Sequence, residues 1–158
     1  MTYKRWLISW IGNADHVAAE AGSAAGFGPV ATALLSSEKF DRVYLLTNYG
    51  HERSSAYCAW LEQRCGYEGA DVDLQEIDLR SPIDYASIYN EVSKHLKDLG
   101  LPRQDVELTL HLSPGTPAMA AIGIMLAKTR FPDKLIQTSK EHVLESVDFP
   151  FDLASDLL

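Results

Sequence analysis

Segments with the pattern of strands and segments with the pattern of helices alternate along almost the whole chain. Short apolar runs rich in β-formers predict strands, and longer stretches with helical spacing lie between them. The predicted strands cover residues 4–11, 42–47, 72–77, 106–112 and 134–138, and the predicted helices cover residues 29–39, 52–64, 84–99 and 116–129. This alternation is typical of parallel strands joined by right-handed helical crossovers. We therefore expect an α/β fold, with a Rossmann-like parallel sheet of about five to six strands and helices on both faces.

Two segments depart from the alternation. Residues 12–27 are rich in small side chains and are predicted to form a long loop. Residues 142–158 contain a short β-like stretch followed by an acidic, amphipathic end. We therefore expect one domain over residues 1–140 and a C-terminal extension over residues 141–158.

Composition excludes several classes of protein. A net charge of −8 argues against binding duplex DNA, which requires a broad basic surface. No apolar run is long enough to span a membrane and no signal-peptide pattern is present, so we expect a cytoplasmic protein. Cys58 and Cys65 share a predicted helix about two turns apart, which is too far for a disulfide. Their spacing does not fit a zinc site either, and we expect no metal and no cofactor.

The end of the fourth predicted strand is the strongest candidate for a ligand site. The strand ends in Ser113-Pro114-Gly115-Thr116, and Pro117 is suited to the first turn of the helix that follows. A helix that begins at the carboxyl end of a parallel strand offers free N–H groups and the positive end of its dipole. Ligands bind at this edge in open α/β sheets. The pattern therefore predicts an anion site.

The first loop lies at the same edge of the predicted sheet. Gly12 allows close approach of a backbone, and Asn13 and Asp15 can hydrogen-bond a ribose or a base, with Ala14 between them. Asp15 is equally well suited to capping the loop. Asn48 ends the second strand and either faces the same cleft or serves as a turn residue. The only cations expected near this edge are Lys140 and Arg53, so backbone amides have to supply most of the anion binding.

The sequence of the same turn fits an α/β-hydrolase less well than it fits an anion site. Ser113, Asp133 and His142 follow the chain order of a catalytic triad in α/β-hydrolases. However, His111 stands where that motif requires glycine, and Pro114 has no N–H to offer an oxyanion. We therefore assign no catalytic residue and expect a binding domain rather than an enzyme.

The helix over residues 116–127 is apolar or small on every side. A helix that covers a sheet normally keeps a polar outer face. A second cover is therefore expected, either the same helix of a second subunit across a two-fold axis or the C-terminal segment of the same chain.

Three segments carry a resemblance to a known family. Residues 112–119, 10–13 and 43–48 resemble the CARF domains (CRISPR-associated Rossmann fold), and among them the N-terminal sensor domains of σ54-dependent regulators of the RNA 3′-terminal phosphate cyclase operon. Residues 147–152 are similar to the linker that joins such sensors to an AAA+ ATPase. The resemblance implies the sensor domain of a transcription regulator. It also implies a homodimer that binds a cyclic oligoadenylate or an RNA end or fragment in its cleft, with the ATPase on the same full-length chain.

The resemblance also indicates the residues that contact the ligand. They are expected at the edge already described, namely Gly12, Asn13, Ala14, Asp15, Asn48, Ser113, Pro114, Gly115, Thr116, Pro117 and Met119. Many oligoadenylate-binding members have a lysine where Pro117 stands, so ligand cleavage is less expected here. Two alternatives remain: a metal-independent ring nuclease that cleaves cyclic oligoadenylate, and a dimerisation module that binds no ligand.

Overall fold

A six-stranded sheet with the order β3-β2-β1-β4-β5-β6 forms the centre of the fold. The computed structural model describes residues 3–22, 26–67, 71–131, 133–139 and 143–148. The strands are β1 (Lys4–Trp10), β2 (Arg42–Thr47), β3 (Val72–Glu76), β4 (Val106–His111), β5 (Lys134–Thr138) and β6 (Leu144–Val147). The helices are α1 (Asn13–Glu20), α2 (Gly28–Leu35), α3 (His51–Cys65), α4 (Tyr85–Asp98) and α5 (Pro117–Thr129). All neighbouring strands are parallel except β5 and β6, which confirms the predicted Rossmann-like α/β fold.

Helices cover both faces of the sheet because the side chains of its central strands are apolar on both sides. Along β1, Leu7 packs with α2 and α3, whereas Trp6 and Ile8 pack with α4 and α5. Leu7 is 0% exposed and Ile8 is 3% exposed. Central parallel strands are expected to be apolar in this way, since neither face meets water.

The predicted loop over residues 12–27 is wrong in its first half, where the structure forms α1. Gly12 is the N-cap of this helix, and the N–H of Gly12 donates to the Asp15 carboxylate at 2.8 Å. An acidic residue at this position satisfies an otherwise free donor and interacts well with the helix dipole. The small residues of this segment led to the wrong prediction of a loop, because here glycine and alanine form the start of a helix. The helix predicted over residues 29–39 also ends earlier, at Leu35.

The outer face of α5 is only partly covered within the described residues. Ile122 and Leu126 are buried against the sheet, while Met125 on the opposite side is 46% exposed. Ala121 and Ile124 are half-buried. Two covers were predicted for this face. The second subunit stays a prediction, and residues 149–158 of the C-terminal segment, the alternative cover, lie outside the described residues.

Three further features of the described residues bear on function. None of their helices is long and apolar enough to cross a membrane. They also contain no group of three or more His, Cys, Asp or Glu side chains placed to hold a metal ion. Cys58 and Cys65 are both free thiols on α3, and burial raises the pKa of each to about 11. Neither thiol is therefore activated as a nucleophile.

Candidate functional site

The order of the strands reverses direction between β1 and β4, and the loops that follow these two strands meet at that point. Sheets of this kind bind ligands at the carboxyl ends of the strands beside such a switch point. A Cβ atom added to Gly12 would lie 2.7 Å from the backbone nitrogen of Gly115. Only glycine at position 12 therefore allows the two loops to approach this closely.

Two helices begin at the switch point. α1 starts at Asn13 directly after β1, and α5 starts at Pro117 after β4. The N–H groups of Asn13, Ala14 and Gly115 have no hydrogen-bond partner in the part of the chain that the structure describes. Asn13, Ala14 and Gly115 are exposed. The free amides at the N-terminus of α1 and in the turn just before α5 make this edge suited to an anion.

The start of α5 is held by its own side chains. The Thr116 hydroxyl accepts a hydrogen bond from the Met119 N–H at 3.3 Å and donates one to the Pro82 carbonyl at 2.6 Å. The Thr116 N–H points to the Met119 sulfur at 3.4 Å. Gly115 has φ +89°, and a Cβ there would lie 2.5 Å from the same sulfur. Met119 and Pro114 are buried, so they shape the turn from beneath, whereas Pro117 is exposed.

Ser113 ties the end of β4 to the end of β5. The Ser113 hydroxyl accepts a hydrogen bond from the Thr138 N–H at 2.8 Å and donates one to the Thr138 carbonyl at 3.2 Å. The hydroxyls of Ser113 and Thr116 therefore both have partners within the chain.

The Asp15 carboxylate is enclosed and links three elements. Asp15 is 0% exposed and accepts hydrogen bonds from Gly12 N–H at 2.8 Å and Val30 N–H at 2.9 Å. Burial raises the pKa of Asp15 to about 6, although these two bonds favour its charged form. As placed here, the carboxylate fixes the loop after β1 against α2 and does not face solvent.

A buried polar chain lies beneath the switch point. His111 Nδ1 is 3.2 Å from the Ser9 hydroxyl, and His111 Nε2 is 3.0 Å from the Thr138 hydroxyl. Ser9 also donates to the Trp10 carbonyl at 3.0 Å, so its oxygen is left to accept from the Nδ1–H tautomer. Burial lowers the pKa of His111 to about 3, which keeps the ring neutral. Sequence reasoning saw His111 only as an obstacle to a hydrolase motif, because its partners lie on two other strands.

The remaining predicted residues spread around the same edge. Asn48 is half-buried at the end of β2, which pairs with β1. Arg53 forms an ion pair at 2.6 Å with Glu20, the last residue of α1. Lys140 lies outside the described residues.

The triad geometry does not form among the described residues. Asp133 precedes β5, so it lies at the amino edge of the parallel sheet, whereas Ser113 lies at the carboxyl edge. His142 lies outside the described residues. Two triad members at opposite edges cannot share a proton relay.

Comparisons with known proteins agree with this architecture. The sequence model of the RtcR family, described as "Regulator of RNA terminal phosphate cyclase", matches residues 32–149, which is more than half of the chain. Among solved structures, Enterococcus italicus Csm6 bound to cyclic hexa-2′-fluoro-hexa-dAMP has a TM-score of 0.68 at 19% sequence identity. The match covers 86% of this chain and 33% of the Csm6 chain, so the present chain spans about a third of that protein. No curated protein matches the chain.

Proposed function

Because this chain belongs to the RtcR family of regulators of RNA terminal phosphate cyclase and has a CARF-like Rossmann fold, we propose that it is the ligand-sensing domain of a transcription regulator. The ligand is an oligonucleotide, either a cyclic oligoadenylate or an RNA end or fragment. The domain extends beyond the expected boundary at residue 140, because β6 pairs with β5 in its sheet, and the residues after β6 lead toward a covalently linked AAA+ ATPase in a cytoplasmic regulator. The domain itself does not bind duplex DNA.

The observation that carries this proposal is the meeting of two helix N-termini at the switch point. The free amides of Asn13 and Ala14 lie at the start of α1, and the free amide of Gly115 lies in the turn that packs against Gly12 just before α5. Such amides bind phosphate oxygens without reading the base. The Csm6 structure of similar fold was solved with a cyclic oligonucleotide, which supports the same class of ligand here.

A second subunit completes the proposed site. α5 starts at the switch point, and its half-covered outer face, with Met125 46% exposed, fits the same helix of a second copy. A two-fold axis along this face brings two switch points into one cleft, which suits a ligand with repeated phosphates. The ligand acts as a signal if it favours one arrangement of the two subunits over another.

Calorimetry with a charge-bearing variant tests the proposal. We expect cyclic tetra- or hexa-adenylate, or a short RNA with a 2′,3′-cyclic phosphate, to bind the dimeric domain. In Ala14→Glu a carboxylate competes for the free amides, so affinity should fall about tenfold or more. A negative charge in the first turn also stabilises α1, so the variant should fold.

Val17→Glu is the matched control, because Val17 is 42% exposed on the same helix and lies past its first turn. This variant should bind like the parent. The proposal is wrong if no ligand gives heat with a folded dimer, or if Ala14→Glu binds as tightly as the parent. Linear products after incubation would instead support the nuclease alternative.

A further inference from the structure

Large apolar side chains are exposed at the start of α4, on the same face of the sheet as α5. Ile83 is 66% exposed in the turn before α4, and Tyr85 is 55% exposed as the first residue of this helix. α4 and α5 share one core, to which Ile88 and Ile122 belong. The exposed residues therefore lie on the same side of the molecule as the half-covered outer face of α5, where Met125 is 46% exposed.

Two hydrogen bonds fix how this part of α4 lies beside α5. The Thr116 hydroxyl donates to the Pro82 carbonyl at 2.6 Å, which holds the turn against the start of α5. The Arg130 guanidinium, directly after α5, donates to the Tyr89 hydroxyl at 3.3 Å. Tyr85 and Tyr89 are four residues apart, so they lie on one side of α4. This tyrosine side of α4 therefore borders α5.

The turn that exposes Ile83 is held by its own hydrogen bonds. The Ser81 hydroxyl accepts from the Ile83 N–H at 3.3 Å, and the Asp84 carboxylate caps α4 by accepting from the Ser87 N–H at 3.0 Å. The Asp84 carboxylate also pairs with Arg80 at 3.6 Å, so its charge is compensated. A turn fixed in this way holds Ile83 away from the core and presents it to a partner.

The two sides of α4 differ in charge. The side toward β3 forms a groove that is lined by one lysine and by four carboxylates, those of Asp73, Glu76, Glu91 and Asp98. By contrast, the sequence of α5 contains no Asp or Glu. Two chains that each carry a net charge of −8 repel each other, and they approach most easily through a surface poor in acidic groups. The tyrosine side of α4 is therefore the side that suits a second copy of the chain.

We propose that the turn over residues 81–85 and the tyrosine side of α4 extend the outer face of α5 into one interface, whose partner is a second copy of this chain. The interface belongs to the dimer of the proposed function, on which the inference rests, and it adds a contact that α5 does not supply. Ile83 and Tyr85 of each subunit are buried against the other subunit across the two-fold axis. Because Pro82 is bonded to Thr116, this contact reaches the rim of the switch point.

Sedimentation velocity over a dilution series without ligand tests the interface. Ile83→Asp places a carboxylate in the interface twice, once from each subunit, and removes two buried apolar side chains. The dissociation constant of the dimer should therefore rise at least about hundredfold. The variant should keep the circular dichroism spectrum of the parent, because Ile83 is mostly exposed within one subunit.

Val17→Asp is the matched control for Ile83→Asp. Val17 is also β-branched and is 42% exposed, and α1 packs through Ala19 on the opposite face of the sheet. This variant adds the same charge to each chain and should dimerise like the parent.

Tyr85→Asp separates a role in the interface from a role within α4. An acidic residue in the first turn of a helix interacts well with the helix dipole, so this variant should fold. Its dimer should nevertheless dissociate at least about tenfold more readily than that of the parent. A Tyr85 that served α4 alone would leave the dissociation constant unchanged.

The inference is overturned if the parent is monomeric up to about 0.1 mM, or if Ile83→Asp dimerises as tightly as Val17→Asp. Ala14→Glu should dimerise like the parent in the absence of ligand, because its carboxylate acts on the amides of the switch point. Failure of the interface is therefore distinguishable from failure of ligand binding, since the first appears without ligand and the second appears only with it.

Discussion

The switch point and the pocket between α1 and α3, lined by His16, Tyr49, Tyr57 and Trp60, differ in which polar groups lack partners. At the switch point, the polar side chains of Asp15, Ser113 and Thr116 all have partners, and main-chain amides are left over. In the pocket, side-chain atoms of His16 and Tyr57 are left over. Exposed free amides suit a phosphate, whereas the unpartnered atoms of His16 and Tyr57 have no surface that a ligand could reach.

This difference is one of access, because the free amides belong to exposed residues and the two side-chain atoms are enclosed. Amides at a helix N-terminus are placed by the backbone, so substitution of the side chains around them acts through the shape of the loops.

The largest effect is expected for Gly12→Ala. The new Cβ would lie 2.7 Å from the backbone nitrogen of Gly115, so the two loops must separate. We expect a loss of about 3 kcal/mol in the free energy of unfolding, typical of overpacking against backbone. Oligonucleotide binding should fall at least tenfold, because the amides of the two helix starts no longer converge. Urea denaturation and calorimetry measure the two effects.

Gly123→Ala is the control for Gly12→Ala. Gly123 lies inside α5, and a Cβ there would contact the Leu112 side chain at an ordinary 3.4 Å. Alanine should be neutral or stabilise the helix by up to about 1 kcal/mol. If Gly12→Ala is as stable and binds as tightly as Gly123→Ala, the close approach of the loops is not what builds the site.

The fold was largely readable from the sequence because its signals are local. The apolar runs of β1, β2 and β4 and the helix starts at Asp84 and Pro117 predict elements without any knowledge of the neighbours. α1 was missed because its entry depends on the Asp15 carboxylate accepting from both Gly12 and the distant Val30. A Gly-x-x-Asp spacing before alanines was the only available signal.

The anion site could be predicted from the sequence whereas the ring contacts in the pocket could not, again because only the first depends on a local signal. A strand that runs into a helix start at Gly115 and Thr116 predicts an anion site, since both elements are contiguous in the sequence. The pocket joins His16 to Tyr49 and Tyr57, and nothing in the spacing of these residues indicates that their rings meet. Likewise, the partners of His111 lie on β1 and β5 and emerge only from the order of the strands.

A medium effect on stability is expected from the buried hydrogen-bonded side chains of Ser9, His111 and Thr138 beneath the switch point. Folding lowers the pKa of His111 from 6.5 to about 3, so the stability it contributes is present above pH 6.5 and is lost as pH falls toward 3. Between pH 6.5 and 4.5, the contribution of His111 to the free energy of unfolding falls by about 2 kcal/mol. His111→Gln should remove that loss, as measured by urea denaturation at the two pH values.

Asp15 acts in the opposite direction in the same pH range. Its pKa rises from 3.8 to about 6 on folding, so the stability it contributes is present at low pH and is lost as pH rises through 6. Asp133, whose pKa burial raises to about 8, acts in the same direction as Asp15. Relative to the parent, His111→Gln should therefore gain about 2 kcal/mol in the free energy of unfolding between pH 6.5 and 4.5. The exposed His51→Gln is the matched control and should follow the parent. Identical pH profiles for His111→Gln and the parent would show that the ring is not held neutral by burial.

The smallest effect is expected for Ser113→Ala, which asks whether side chains at the switch point bind the ligand or hold the loop. The hydroxyl makes two hydrogen bonds to the backbone of Thr138, at 2.8 and 3.2 Å. Its loss should lower the free energy of unfolding by about 1 kcal/mol. Oligonucleotide affinity should change less than about twofold, because the Ser113 hydroxyl is already bonded to Thr138 and the proposed phosphate contacts are made by amides. A tenfold loss of affinity with unchanged stability would mean that Ser113 leaves Thr138 to bind the ligand, and the contrast between backbone and side-chain recognition would no longer hold.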